Sequence, residues 1–175
     1  MGKVYFALGM MSGTSGDGVD SSIIQSDGMD KFTIKFNRYD AYPSDLSYEI
    51  HKIKEKIQSS SDLVKFSKEL EFLEVKLTTF HADVAKKWFE SIDVDIIGFH
   101  GQTIFHNAEE KISRQLGLGE KLSKLTKKTV IYNFRQNDLK NDGEGAPLAP
   151  IYHKLIVKAF KDRGKLKLPI IILNI

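Results

Sequence analysis

Three stretches of this chain hold residue types at spacings that can do chemistry. The first, residues 13–20, reads GTSGDGVD: Gly13, Thr14, Ser15, Gly16, Asp17, Gly18, Val19 and Asp20. Its glycines permit positive φ and close approach of backbone to an anion. Exposed N–H groups, with the hydroxyls of Ser12, Thr14 and Ser15, can then cradle phosphate oxygens. Asp17 and Asp20 can hold a hydrated Mg²⁺ against those phosphates, through water. The spacing from Gly13 to Gly18 imitates a Walker A loop, but Val19 and Asp20 stand where Lys and Ser/Thr are required. The dinucleotide fingerprint G-x-G-x-x-G is not matched either. Both rivals also need a strand, a loop and a helix, whereas this loop is flanked by two strand-like runs. A merely flexible hairpin turn is the plain alternative for this segment taken alone.

The second stretch, residues 97–106, reads IGFHGQTIFH. A His-Gly-Gln-Thr turn directly after a buried strand puts polar side chains at a strand's carboxyl end, where open α/β sheets place ligands. His100 and Gln102 offer donors and acceptors suited to sugar hydroxyls; a structural hydrogen-bonding histidine is the plainer reading. The third, residues 133–153, sets Arg135 and Asp138 beside a glycine-rich loop at 142–145 that leads to His153. Arg135 is a natural clamp for an anion or a sugar carboxylate, with an incidental surface arginine as the alternative. His106 is a weaker candidate. His51 and His81 fall inside helix-like segments and are given no role, and no His/Asp/Glu spacing resembles a metal site.

The elements that must position these residues change period along the chain. Residues 3–9 predict a buried strand, and 19–26 and 31–39 two more, the last pair joined by the turn signal Asp27-Gly28. Together they make an antiparallel meander. Leu46, Ile50, Ile53 and Ile57 then share one helical face across residues 45–57. Apolar residues at three- and four-residue steps from Leu63 to Trp88 predict a single helix over 62–89. Residues 94–99 predict a central strand, 119–125 a short helix, 129–132 a short strand, 149–160 a helix and 166–175 a strongly apolar terminal strand. The class is α/β, a mixed sheet beginning with an antiparallel three-strand meander, with helices packed on it. A chain seldom stops inside its most hydrophobic strand, so truncation is expected.

Bulk properties narrow the function classes. A chain of 175 residues can bury one good core, and 41% hydrophobic with 28% charged residues is ordinary for a globular protein. The absence of cysteine removes disulfides, thiolate nucleophiles and Cys-type zinc sites, and fits a reducing, cytoplasmic location. No apolar run approaches bilayer length and no signal-peptide pattern opens the chain, so no membrane partner is expected. The formal charge of +3 comes from scattered lysines. Lys121, Lys124, Lys127 and Lys128 form the densest run, without the aromatic platform of a nucleic-acid surface, so nucleic acid is not expected as a partner.

A phosphate loop on a β-hairpin resembles the arrangement of the actin, sugar kinase and Hsp70 superfamily. Within it, MSGTSGDGVD, HGQT and the NFR…D…GxGAPLxPxxH segment, in that order, resemble anhydro-N-acetylmuramic acid kinases. QLGLG at 115–119 is similar to that family's Q-x-G loop, and the terminal LNI to the start of its next motif. The resemblance implies an actin-like ATPase (ribonuclease H-like) fold, with residues 1–175 as an N-terminal lobe that stops before the nucleotide-covering lobe. It also implies an ATP- and Mg²⁺-dependent cytoplasmic transferase of peptidoglycan recycling. Water opens the 1,6-anhydro ring at the anomeric carbon while O6 takes the γ-phosphoryl group, giving N-acetylmuramic acid 6-phosphate. Residues 13–20 would hold ATP phosphates, and His100, Gln102, Arg135 and Asp138 the sugar. The catalytic aspartate would lie beyond Ile175, a role given to neither Asp17 nor Asp20, so the chain alone is expected to be inactive.

Departures from the family pattern are Gly16 for a leucine, expected to loosen the hairpin tip, and Asp142 and Glu144 for Gly and Gln, which add negative charge beside an acidic sugar. Another sugar or acyl kinase, or a non-catalytic half-domain that binds phosphate or sugar, are the alternatives. A homodimer is one assembly open to the chain.

Overall fold

The computed structural model describes residues 3–29, 31–162, 164 and 169–172. The alternating and β-branched runs at the start form β1 (Tyr5–Ser12), β2 (Gly18–Ser26) and β3 (Phe32–Ala41), paired antiparallel as expected. Pairing of β1 with β2 runs from Tyr5↔Ser26 to Met11↔Asp20, so the phosphate-type loop shrinks to residues 13–17. β4 (Ile96–Asn107) lies parallel to β1 on its other side. Beyond β4 come antiparallel β5 (Ile112–Leu116) and parallel β6 (Thr129–Ile131), giving the order β3-β2-β1-β4-β5 with β6 also on β4.

The helices are α1 (Ser44–Lys56), α2 (Ser60–Lys65), α3 (Ser67–Phe89), α4 (Gly119–Thr126), α5 (Phe134–Lys140) and α6 (Pro150–Asp162). The apolar stripes of α1 and α3 pack on one sheet face. Ile50, Ile53, Leu73, Leu77 and Val84 meet Leu8, Val19, Ile23, Ile97 and Phe99 there in one buried cluster. Such burial is the main stabilising term of the fold. Two polar anchors fix α3 against it. Trp88 Nε1 donates to Ser21 Oγ at 3.0 Å. Glu74, nearly buried, takes the Arg114 guanidinium at 2.7 and 3.0 Å and the Gly117 amide at 2.9 Å, which fastens residues 115–118 to the helix.

The structure corrects several expectations. The long helix over 62–89 is two helices, because Phe66 leaves helical geometry at φ −104°, ψ 20° while its ring stays packed on the core cluster, so the periodicity passes across the break. HGQT is not a turn after a strand: β4 runs on through it. His100 is the extra residue of a bulge, since Met10 pairs with Phe99 and Met11 with Gly101. Gly101 makes this possible, at φ +72° and with no room for a Cβ beside the Leu116 carbonyl. β5 and α5 were not foreseen. The expected terminal strand at 166–175 falls largely outside the described residues, and 169–172 carry no strand. Among the described residues no helix is long and apolar enough to cross a membrane.

Candidate functional site

Two clusters meet along β4. The first surrounds the β1–β2 hairpin. Thr14, Ser15, Asp17 and Asp20 are exposed, whereas Gly16, Gly18 and Val19 are buried. Val19 is wholly in the core, Gly18 faces Tyr39, and Gly16 lies against Ile50 and His51 of α1. The stretch read as eight phosphate-contacting residues therefore divides into an exposed tip and inward-turned packing positions. Asp17 accepts from Ser15 Oγ at 2.6 Å, and that hydroxyl leads in holding its carboxyl below the usual carboxylate range. Tyr39 sits close enough to Asp17 and Asp20 that burial and both carboxylates push its phenol up. Asp17 and Asp20 alone do not make a metal cage, and the described residues hold no group of three His, Cys, Asp or Glu that could. One or two carboxylates completed by phosphate oxygens and water is, however, the donor set Mg²⁺ takes.

Gln102, expected at the sugar, sits instead beneath this hairpin. It is fully buried; its amide donates to the Gly13 carbonyl at 2.9 Å and the Thr103 carbonyl at 3.2 Å, and its oxygen accepts from Ser12 Oγ at 2.5 Å. Residues of α1 that sequence reading passed over also reach the tip. Ser47 Oγ donates to the Gly16 carbonyl at 2.9 Å, Lys54 Nζ donates to the Thr14 carbonyl, and His51 flanks Gly16. Gly16 thus does not loosen the tip: its missing side chain lets α1 close on it. The signal was there, since Ser47, His51 and Lys54 recur at helical spacing beside the buried stripe Leu46, Ile50 and Ile53.

The second cluster is built on the β4 bulge and α5. Arg135, in the first turn of α5, donates through Nε at 3.2 Å and Nη2 at 2.9 Å to His100 Nε2, and through Nη1 at 2.8 Å to the Gly145 carbonyl. His100 Nδ1 lies 2.9 Å from the Gly101 carbonyl and must carry the proton, so Nε2 is the acceptor and the ring is neutral. Burial, with Arg135 adding to it, draws the imidazole below its usual value, against the opposing bond to Gly101. Asp138 accepts from the Gly145 amide at 2.8 Å, and a Cβ on Gly143 would collide with its carboxylate, so it shapes the glycine loop. Asp142 pairs outward with Lys111, which draws that added charge toward a lysine.

Arg135 is half-buried, and no carboxylate among the described residues pairs with it. Neutral acceptors hold it, and its remaining N–H groups can take a ligand. A planar guanidinium fixed this way is suited to a bidentate carboxylate or phosphate.

An antiparallel meander carrying a glycine loop on its first hairpin, followed by parallel β4 and β6 with helices packed on the sheet, is the architecture of the sugar kinase and actin-like ATPase fold. Within that class the particular family is shown. The family model for anhydro-N-acetylmuramic acid kinase matches residues 5–175, and the chain belongs to that family. It is 49% identical to the anhydro-N-acetylmuramic acid kinase of Pelagibacter ubique over 100% of this chain and 46% of that protein. It is 35% identical to the one from Rhizobium johnstonii, over 94% of this chain and 46% of that protein, and 36% identical to the one from Agrobacterium fabrum, over 87% and 42%. The chain spans about half the length of these curated relatives.

Proposed function

We propose that this chain supplies the phosphate hairpin and part of the sugar pocket of an ATP-dependent kinase that acts on 1,6-anhydro-N-acetylmuramic acid in the cytoplasm. Water adds at the anomeric carbon, the C1–O6 bond breaks, and O6 accepts the γ-phosphoryl group of ATP, giving N-acetylmuramic acid 6-phosphate and ADP. The observation that carries this reading is the half-buried Arg135 guanidinium, held by His100 and Gly145 without a carboxylate partner among the described residues. It offers a fork to the lactyl carboxylate that sets muramic sugars apart from neutral amino sugars.

The exposed amides of the hairpin tip face the triphosphate, and Asp17 and Asp20 would hold Mg²⁺ there through water. Bound Mg²⁺ would neutralise charge that builds on the phosphate oxygens. Asp17, ionised and bonded to Ser15, belongs to this phosphate side. The water-activating carboxylate is therefore assigned to neither Asp17 nor Asp20. Asp138 keeps the glycine loop in shape, and the His100 ring aims Arg135.

Calorimetry with N-acetylmuramic acid and with N-acetylglucosamine tests the reading. Binding of the acid but not of the neutral sugar is expected, with loss of that binding in Arg135→Gln. Equal binding of both sugars, or of neither, contradicts it. Incubation with ATP, Mg²⁺ and the anhydro sugar is expected to yield no phosphorylated product from this chain alone.

A further inference from the structure

Most of the hairpin's carbonyls are held by the surrounding scaffold, whereas two of its amides are left open; the Gly16 amide turns back to the Gly13 carbonyl at 3.2 Å. Donors from β4, α1 and the turn before α1 hold its carbonyls: Gln102 of β4 on Gly13, Lys54 and Ser47 of α1 on Thr14 and Gly16, and the Tyr42 amide on Asp17 at 2.8 Å. The amides of Thr14 and Ser15, by contrast, donate to no acceptor among the described residues, and both residues are exposed. In a planar trans peptide the N–H points away from the C=O. Tying the carbonyls to the scaffold therefore turns the amides outward.

We propose that α1 is part of the phosphate-binding machinery, with Lys54 and Ser47 as positioning residues that aim the hairpin's amides at a polyphosphate. The proposal deepens the kinase reading and rests on its phosphate hairpin. Lys54 has the sharper role. Its ammonium sits on the carbonyl of the Thr14–Ser15 peptide, whose other end is the Ser15 N–H. A cation hydrogen-bonded to a carbonyl withdraws charge through the peptide and makes its N–H a stronger donor. Among the described residues Lys54 pairs with no carboxylate, so this positive charge is not neutralised beside the tip. Ser47 adds a neutral tether about two turns earlier on the same helix face. Gly16 belongs to the device, because a Cβ there would stand 2.9 Å from Ile50 Cγ2 and push α1 off the tip.

The test uses the 175-residue chain with inorganic tripolyphosphate as probe, in Lys54→Met, which keeps the stem, and Lys54→Arg, which restores the cation. Lys54→Met is expected to weaken tripolyphosphate binding about tenfold, as for one lost charge-assisted bond, and Lys54→Arg to regain most of it. Before any ligand is added, the Ser15 amide proton of Lys54→Met should move upfield, a signature that lost packing would not give. N-acetylmuramic acid binding at Arg135 should be unchanged, which also reports that the variant is folded. Tripolyphosphate affinity within twofold of the unaltered chain, or an unmoved Ser15 resonance, overturns the role of Lys54 and leaves the hairpin reading standing. If the unaltered chain binds no tripolyphosphate, the hairpin reading falls and this inference with it.

Discussion

Arg135 reaches a single atom of His100, Nε2, with two of its own nitrogens, at 3.2 and 2.9 Å. The imidazole must stay neutral to accept them, and protonation would set a second cation beside the guanidinium. Because burial holds His100 below its usual 6.5, the neutral form survives above that value and is lost at more acidic pH. Affinity for N-acetylmuramic acid should therefore be level above about pH 6.5 and fall below it, while the ligand's carboxylate, with a pKa of about 3.5, is still ionised. The stability contribution has the same sign: complete above the unfolded value and lost as pH falls through the depressed one. Calorimetric titration at several pH values reads the curve, and an affinity that instead rises as the solution is acidified would speak against the assigned tautomer.

Arg135→Lys keeps the charge and loses the fork. Binding of the acidic sugar should weaken about tenfold or more, with thermal stability changed little, since the lost bonds are half-exposed. Isothermal titration beside a melting curve separates the two effects.

His81 is a stability element. It is fully buried between Tyr42 and Phe99, bonds the Leu77 carbonyl through Nδ1 at 2.9 Å, and has no partner at Nε2 among the described residues; burial pulls its pKa down to about 4. The unfolded chain takes up this proton near 6.5, so stability present above 6.5 drains away as pH falls toward 4, on the order of 3 kcal/mol in all. Urea unfolding at pH 7 and near 4.5 should show this loss in the unaltered chain and a smaller one in His81→Phe.

Glu74→Gln removes a nearly buried charge that holds Arg114 and the Gly117 amide. A cost of about 3 kcal/mol is expected, read as a lower urea midpoint, because the Arg114 guanidinium loses its counter-charge.

Gly16→Ala meets two obstacles, φ +66° and the Ile50 methyl. Destabilisation of about 1–2 kcal/mol should follow, accompanied by weaker tripolyphosphate binding as α1 is displaced.

The meander, α1 and the buried stripe of α3 were legible because alternation and helical periodicity report burial directly. What escaped was set by tertiary contacts. Nothing local marks Phe66 as a break, and HGQT looked like a turn because a bulge and a turn call for the same glycine. Gln102 read as a ligand residue, for polarity alone cannot say whether an amide meets substrate or backbone. Arg135 stood out by its chemistry, but its bonds to the His100 ring needed coordinates. Lys54 and Ser47 lay far along the chain from the loop they hold.

Phosphate binding at the hairpin tip is the premise of the kinase reading. Titration of the isotopically labelled chain with Mg²⁺ and ATP, followed by amide resonances, addresses this most directly. The largest shifts should fall on Thr14 and Ser15, and equimolar N-acetylmuramic acid should leave those two unmoved while shifting Arg135 and Gly145. Resonances of Thr14 and Ser15 that stay still while others respond to ATP would contradict it.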